Sequence, residues 1–251
     1  MKNLMCYTGP ARKFDEECEV LTRIQIDNSL DLGWKKEDIL LFTDFEYEYN
    51  GVRSIVVPDD LYCAFDKKSN KMLVITHLLL NGIVDEDQLY WYHDFDAYEN
   101  SKIEESELGL GDVGLGLTTY GYKPDWNCGC FFFRRSAEDI FALIVQTMFN
   151  RRPRPRADEK ALQRLTDDSW IDENRYRKLN TTYNITMRDV AYSYSRASKP
   201  LKVLHFHPYT EDDDYKLPDK LLNTFMYGRN RMGIPLMSER LIKIFHYHGI
   251  K

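Results

Sequence analysis

The stretch Leu89-Tyr90-Trp91-Tyr92-His93-Asp94-Phe95-Asp96 decides how this chain is read. A short apolar and aromatic run of this kind, ending in charge, reads as a buried strand. Its last residues are two carboxylates separated by one ring. Carboxylates two positions apart at a strand end can face one pocket, and paired hard oxygen donors suit Mg2+ or Mn2+. Asp-x-Asp is a common tripeptide, so its weight comes from the sequence around it.

Outward from this stretch, strands and helices alternate. Leu4 to Thr8 is an apolar run that stops at Thr8-Gly9-Pro10, a turn signal. Phe14 to Leu32 carries Val20, Leu21, Ile24 and Leu30 at helical spacing, with Gly33 as the stop. Ile39 to Asp44 is a second buried strand ending in a carboxylate, and Arg53 to Val57 is a third, halted by Pro58. A helix over 70–81 leads into the Asp-x-Asp strand. This alternation predicts an α/β fold with a mostly parallel central sheet covered by helices. Ligands of such sheets sit beyond the carboxyl ends of the strands, where Thr8, Asp44 and Asp94 all fall.

In the second half, Asp112 to Thr119 and Cys130 to Phe133 read as strands. Ala137 to Asn150 is an amphipathic helix with Ile140, Leu143, Ile144 and Met148 on one stripe. A basic, proline-broken loop at Arg151 to Arg156 precedes a short helix from Asp158 to Leu165. Val203 to Pro208 is a strand, and 221–251 is helical in part. We read 1–215 as the main domain and 216–251 as a C-terminal helical extension packing on it. The Gly-rich stretch 109–116 lacks the Lys-Ser/Thr of a phosphate loop and is expected to be a flexible loop beside the Asp-x-Asp that closes over a ligand.

Composition narrows the function. The chain has 251 residues, a net charge of −6 and 17 tyrosines, whose amphipathic rings suit clefts for sugars and bases. An acidic surface argues against wholesale binding of nucleic acid. Five cysteines without CxxC spacing exclude a disulfide framework and a zinc site, and with the absence of a leader or an apolar run of about 18 residues they point to a cytoplasmic protein. The two Asn-x-Thr matches at Asn180 and Asn184 are read as chance.

The motif order resembles the GT-A class of nucleotide-sugar glycosyltransferases along most of the chain. Strand ends stand at Tyr7-Thr8 and Thr43-Asp44, followed by the Asp-x-Asp strand. Asn127-Cys128-Gly129-Cys130-Phe131-Phe132-Phe133-Arg134 resembles the family's acceptor-side N-S-G-x-F/L-L segment. Asp158-Glu159-Lys160-Ala161-Leu162 resembles its D-Q/E-x-x-L helix start, and Val203-Leu204-His205-Phe206 its late His-Phe segment. The order is closest to the retaining branch. Departures are Cys128, where Ser or Gly is usual, and His207-Pro208-Tyr209, where a Gly and a Lys-Pro-Trp-like run is usual.

The resemblance implies a GT-A (Rossmann-like) fold and metal-dependent transfer of a hexose from a nucleotide-diphosphate sugar, UDP-linked, to a hydroxyl. It implies that Asp96 and one late histidine, His205 or His207, bind Mn2+ or Mg2+, and that Asp94 binds the metal or the ribose. Tyr7 and Thr8 should lie near the base and ribose. Asp44 is placed to accept hydrogen bonds from base or sugar, or else to cap the next turn. Lys71 and Arg12 are placed to reach the diphosphate, or else are solvated cations. Asp158 and Asn127 carry the catalytic reading, Asp158 as general base or as a holder of the donor sugar. Its alternative is an acidic helix start favoured by the helix dipole. The acceptor is a glycan or, through Arg152, Arg154 and Arg156, an anionic molecule such as a modified base in DNA. Against that stands a merely solvated basic loop. Two other classes compete: a catalytically silent nucleotide-sugar-binding module, and a metal-dependent nucleotidyltransferase, whose Gly- and Lys-rich loop after the first strand this chain lacks.

Overall fold

A computed structural model describes residues 1–121, 123–150, 155–186, 190–206 and 236–250. Its strands are β1 (Lys2–Tyr7), β2 (Ile39–Thr43), β3 (Glu48–Tyr49), β4 (Val52–Val56), β5 (Tyr90–His93), β6 (Ala97–Glu99), β7 (Leu115–Thr119), β8 (Trp126–Phe133), β9 (Tyr176–Lys178), β10 (Ile185–Thr186) and β11 (Val203–His205). Its α-helices are α1 (Glu16–Asp31), α2 (Asn70–Leu80), α3 (Glu138–Phe149), α4 (Ala157–Asp167), α5 (Val190–Arg196) and α6 (Glu239–Tyr247).

The large sheet has the order β3-β4-β2-β1-β5-β8-β7-β9. It is parallel across β4, β2, β1 and β5, then turns antiparallel at β8, so the parallel character read from the sequence belongs to the first half. The continuous apolar run that forms β5 is buried on both faces. Tyr90 and Tyr92 pack with α2 and α3 residues such as Val74, Leu78, Phe141 and Ile144, whereas Leu89 and Trp91 join Phe132, Cys130 and Val203 on the opposite side. Successive side chains of a strand alternate faces, so a strand covered on both sides shows no polar alternation.

A second, three-stranded sheet, β10-β11-β6, starts where the Asp-x-Asp stretch ends. β6 follows Asp96 directly and pairs antiparallel with β11, with Ala97 opposite His205. Phe206 N donates to Asp96 O at 2.8 Å, which closes the register. This pairing brings a histidine more than a hundred residues away beside the second aspartate. Behind it, Tyr98, Leu204 and Phe206 pack with Ile24 of α1 and with Leu241 and Phe245 of α6. The 215/216 boundary read from the sequence falls outside the described residues.

The Gly-rich stretch differs from its sequence reading. Gly116 lies within β7, where a Cβ would meet Leu110 and Leu179 at 3.0–3.3 Å, and a Cβ on Gly114 would stand 2.6 Å from Ser136 Oγ. Gly114 and Gly116 thus allow close packing, with Leu108 and Leu110 buried beside them, whereas Gly109 (φ 58°) and Gly111 (φ 54°) take left-handed turns before β7.

Candidate active site

Phe95 explains why the two aspartates face one pocket. Its ring joins Tyr7 and Phe14 in an aromatic cluster that also holds Phe45, 6.2 and 6.0 Å from the first two. With Phe95 turned into that cluster, Asp94 and Asp96 point together at His205. One ligand atom from each of Asp94, Asp96 and His205 lies within 4.8 Å of the other two, the set of hard oxygens and one imidazole that a divalent cation takes. His205 is buried, and its Nε2 stands 3.2 Å from Asp96 Oδ1. His207 lies outside the described residues.

β8 supplies the floor. Leu117 pairs with Phe131 but Thr118 pairs with Asn127, so Cys128, Gly129 and Cys130 bulge out of the β7 ladder. On the other edge Asp94 N donates to Gly129 O at 2.8 Å. A Cβ on Gly129 would strike His205 Cε1 and stand 2.7 Å from Asp94 Oδ2. A bulge with a glycine at its centre therefore opens the space in which the three ligand groups converge. That space, bounded by electron-pair donors, fits a cation.

Asp94 is also held from the other side. Lys71 Nζ lies 3.0 and 3.1 Å from its two oxygens and 3.6 Å from Asp158 Oδ2, and Tyr92 OH donates to Asp94 Oδ1 at 2.6 Å. Lys71 is only 6% exposed, which excludes the solvated reading. Burial works against its ammonium, but Asp94 and Asp158 outweigh that and raise its pKa well above the ordinary lysine value. For Asp94, burial pushes upward, while Lys71, His205 and Tyr92 together hold the carboxyl below the ordinary value. Burial lowers the neighbouring His93 imidazole to about 4. Its ring faces Asn3 Oδ1 at 2.7 Å and Asp94 O at 3.1 Å, so it props the backbone of the motif.

Asp158 reaches Lys71 because α4 is capped from another element. The residue before α4, Arg156, is left-handed (φ 57°) and gives no side-chain cap. Instead Asp66 Oδ2 accepts from Ala157 N at 2.7 Å, and Ser69 Oγ, in the turn that starts α2, accepts from Asp158 N at 3.2 Å. The same turn carries Lys71, so the cap sets one helix start against the other. Burial pushes the Asp158 carboxyl up to about 7 against the pull of Lys71. Asp158 and Glu159 then part company. Glu159 turns to the other side, accepting from Tyr120 OH at 2.6 and 2.8 Å and from Asn127 Nδ2 at 3.4 Å.

At the carboxyl ends of β1 and β2, Asp44 is 1% exposed. Its Oδ2 accepts from Gly9 N at 3.1 Å, while Oδ1 is buried with no hydrogen-bond partner among the described residues. It therefore ties back to the loop after β1, which replaces the turn-capping alternative. Thr8 spends its hydroxyl on Leu61 O at 2.7 Å, and Tyr7 OH donates to Asp15 Oδ2 at 3.3 Å. Arg12 Nε donates to Asp44 O at 3.2 Å, and its exposed guanidinium pairs with Asp59 at 3.3 Å. Arg152 and Arg154 lie outside the described residues, and Arg156 is exposed.

No family model matches the sequence, and no curated protein matches it. Solved structures do. A glycosyltransferase involved in the glycosylation of the major capsid of PBCV-1 superposes with a TM-score of 0.53 at 13% identity, over 84% of this chain and 95% of its own. The galactosyltransferase LgtC, in complex with donor and acceptor sugar analogs, gives 0.54 at 13%, over 89% and 94%. GlyE of Streptococcus pneumoniae TIGR4 gives 0.54 at 15%, over 100% of this chain and 64% of that one.

The chain has the GT-A glycosyltransferase fold. Within this GT-A frame Lys71 stands against Asp94 and Asp158, Asp94 and Asp96 stand against His205, and Asn127 is linked to His205 through Asn184. Tyr92, Glu159, Asn184 and Gly129 were not singled out as site residues. Gly129 was quoted inside the Asn127 segment, and Glu159 beside Asp158, but neither position tells which way a side chain turns. Asn184 carried only a glycosylation pattern, which hid it. Among the described residues no helix is long and apolar enough to cross a membrane.

Proposed function

We propose that this chain is a metal-dependent glycosyltransferase that moves a hexose from a UDP-sugar to a hydroxyl of a carbohydrate acceptor. The observation that carries the reading is the convergence of Asp94, Asp96 and His205 within 4.8 Å at the strand ends of a GT-A fold. Asp96, His205 and Asp94 would hold Mn2+ or Mg2+. When bound, such a cation neutralises charge on a leaving diphosphate.

The chain's own residues supply the rest. The buried Asp44 Oδ1, without a partner among the described residues, is a lone acceptor at the carboxyl end of β2 and would match the single imide N–H of uracil. Lys71 presents a charge that two carboxylates hold in place, so a donor phosphate or sugar hydroxyl meets a preorganised ammonium. Asp158, fixed beside Lys71, accepts from a donor-sugar hydroxyl, the role the resemblance gives it in the retaining branch. Glu159, with Asn127 and Tyr120, faces the opposite side, where we place the acceptor. The carbohydrate acceptor is favoured over DNA by the acidic net charge and by the sugar acceptor analog carried by LgtC. A donor panel with Mn2+, scored by release of UDP or GDP, tests the reading. UDP release from a UDP-hexose, abolished by chelator, is expected; no nucleotide release and no thermal shift with any nucleotide-sugar would end it.

A further inference from the structure

We propose that Asn184 is a positioning residue that fixes the tautomer of His205 and ties the cation corner to Glu159; this rests on the reading of Asp94, Asp96 and His205 as a cation site. Asn184 precedes β10, whose Thr186 pairs with His205 of β11, and it is fully buried. Its Oδ1 faces His205 Nδ1 at 2.9 Å. Its Nδ2 faces Thr118 Oγ1 at 2.9 Å, Asn127 Oδ1 at 3.0 Å and Thr119 O at 3.3 Å.

The orientation of the amide follows from groups whose roles are fixed. Thr119 O is a backbone carbonyl and can only accept. Asn127 Oδ1 accepts from the backbone Gly129 N at 3.0 Å, so the atom of Asn184 beside it must be a donor. Thr118 Oγ1 gives its own hydrogen to Cys130 O at 2.6 Å and so accepts from Asn184. Three acceptors around one end of the amide leave only the oxygen for His205. The His205 Nδ1 must therefore carry a hydrogen, and in the neutral ring the lone pair sits on Nε2, the atom aimed at Asp96 and Asp94. Histidines that bind metals through one nitrogen are set in this way by a partner on the other.

The same amide does a second job. By donating to Asn127 Oδ1 it holds Asn127 with Nδ2 toward Glu159 Oε1. A continuous chain of side chains thus runs from His205 through Asn184 and Asn127 to Glu159. Backbone N–H and C=O groups lock it at two points, so a shift of His205 is passed to the carboxylate on the far side.

Two substitutions separate these functions. Asn184→Asp keeps an acceptor for His205 Nδ1 but sets a second acceptor against Asn127 Oδ1, Thr119 O and Thr118 Oγ1. Asn184→Ala removes both contacts. Mn2+ titration of the metal-free protein by electron paramagnetic resonance, with thermal melting alongside, reads the difference. The expected result is an Mn2+ Kd about 10- to 100-fold weaker for Asn184→Ala and within about threefold of wild type for Asn184→Asp, although both lower the melting temperature. A merely structural role would weaken Mn2+ binding in proportion to lost stability in both, and that result overturns the proposal. Nitrogen NMR of histidine-labelled, metal-free wild type is independent of either variant's folding. His205, assigned by its absence from His205→Gln, should show a protonated Nδ1; a protonated Nε2 with bare Nδ1 would overturn the proposal. Wild type that binds no Mn2+ yet shows the protonated Nδ1 would count against the cation-site reading alone and leave the tautomer assignment supported.

Discussion

Asp94 and Asp96 stand two residues apart, yet the corners they occupy are built differently. Around Asp94 the protein supplies its own cation: Lys71, buried between Asp94 and Asp158 and steadied by Tyr92. Around Asp96 it supplies a second electron-pair donor, His205 Nε2, at 3.2 Å. The first corner is charge-compensated from within and keeps its shape without a ligand. The second gathers donors toward a space that Gly129 keeps open. One motif thus serves a preorganised wall and a proposed cation seat, and the two can be broken separately.

The largest expected effect is at the wall. Lys71→Met removes the buried cation that Asp94 and Asp158 share and, at pH 8 where Asp158 is ionised, should cost about 3 to 5 kcal/mol of stability in urea unfolding. Adding Asp158→Asn should restore much of that, and no recovery would show that the pair does not oppose Lys71 as described.

Asp158 gives the wall a pH signature. Its carboxyl is raised from 3.8 to about 7, so between those values the folded chain keeps a proton that the unfolded chain has lost. Stability from this group is therefore present below the unfolded value and is lost as pH rises through about 7. Asp158→Asn removes the proton. Between pH 5 and pH 8 its stability relative to wild type should improve by about 2 to 3 kcal/mol, whatever the offset at either pH. Parallel pH profiles for the two proteins would refute the buried, proton-bearing state of Asp158.

At the cation seat, Gly129→Ala should cost about 1 to 3 kcal/mol through overpacking against His205 and Asp94. Its distinguishing mark is the loss of Mn2+ binding, which Lys71→Met should disturb less. Equal loss in both would merge the two corners into one. The smallest effect is at the rim: exposed Arg156, which hydrogen-bonds Tyr120, should cost no more than about 1 kcal/mol when replaced by Ala and leave Mn2+ binding unchanged.

This division also explains what could be read in the sequence. Elements of one chain segment were legible: β5 with its two terminal carboxylates, α2 with Lys71 near its start, and the Asp158 helix start all follow from local pattern. The fold class followed from the order of those elements. Short pieces were not legible. β6 and β10 have three and two residues, too few for a period, and although Val203 to Pro208 reads as a strand, nothing local shows that β11 pairs with both of them. They nonetheless bring His205 to Asp96 and Asn184 to His205. The burial of Lys71 was hidden for the same reason, since its partners come from β5 and α4. Within 109–116, Gly114 and Gly116 pack closely while Gly109 and Gly111 serve left-handed turns, a division that only neighbours such as Leu110, Ser136 and Leu179 reveal.

The central claim is that Asp94, Asp96 and His205 hold a divalent cation through which a nucleoside diphosphate binds. Its most direct test is calorimetric titration of UDP into wild type and Asp96→Asn, each with Mn2+ and with chelator. UDP is expected to bind wild type only when Mn2+ is present, and to bind Asp96→Asn at least about 100-fold more weakly under the same conditions. UDP binding that is indifferent to chelator, or equal in the two proteins, would contradict it.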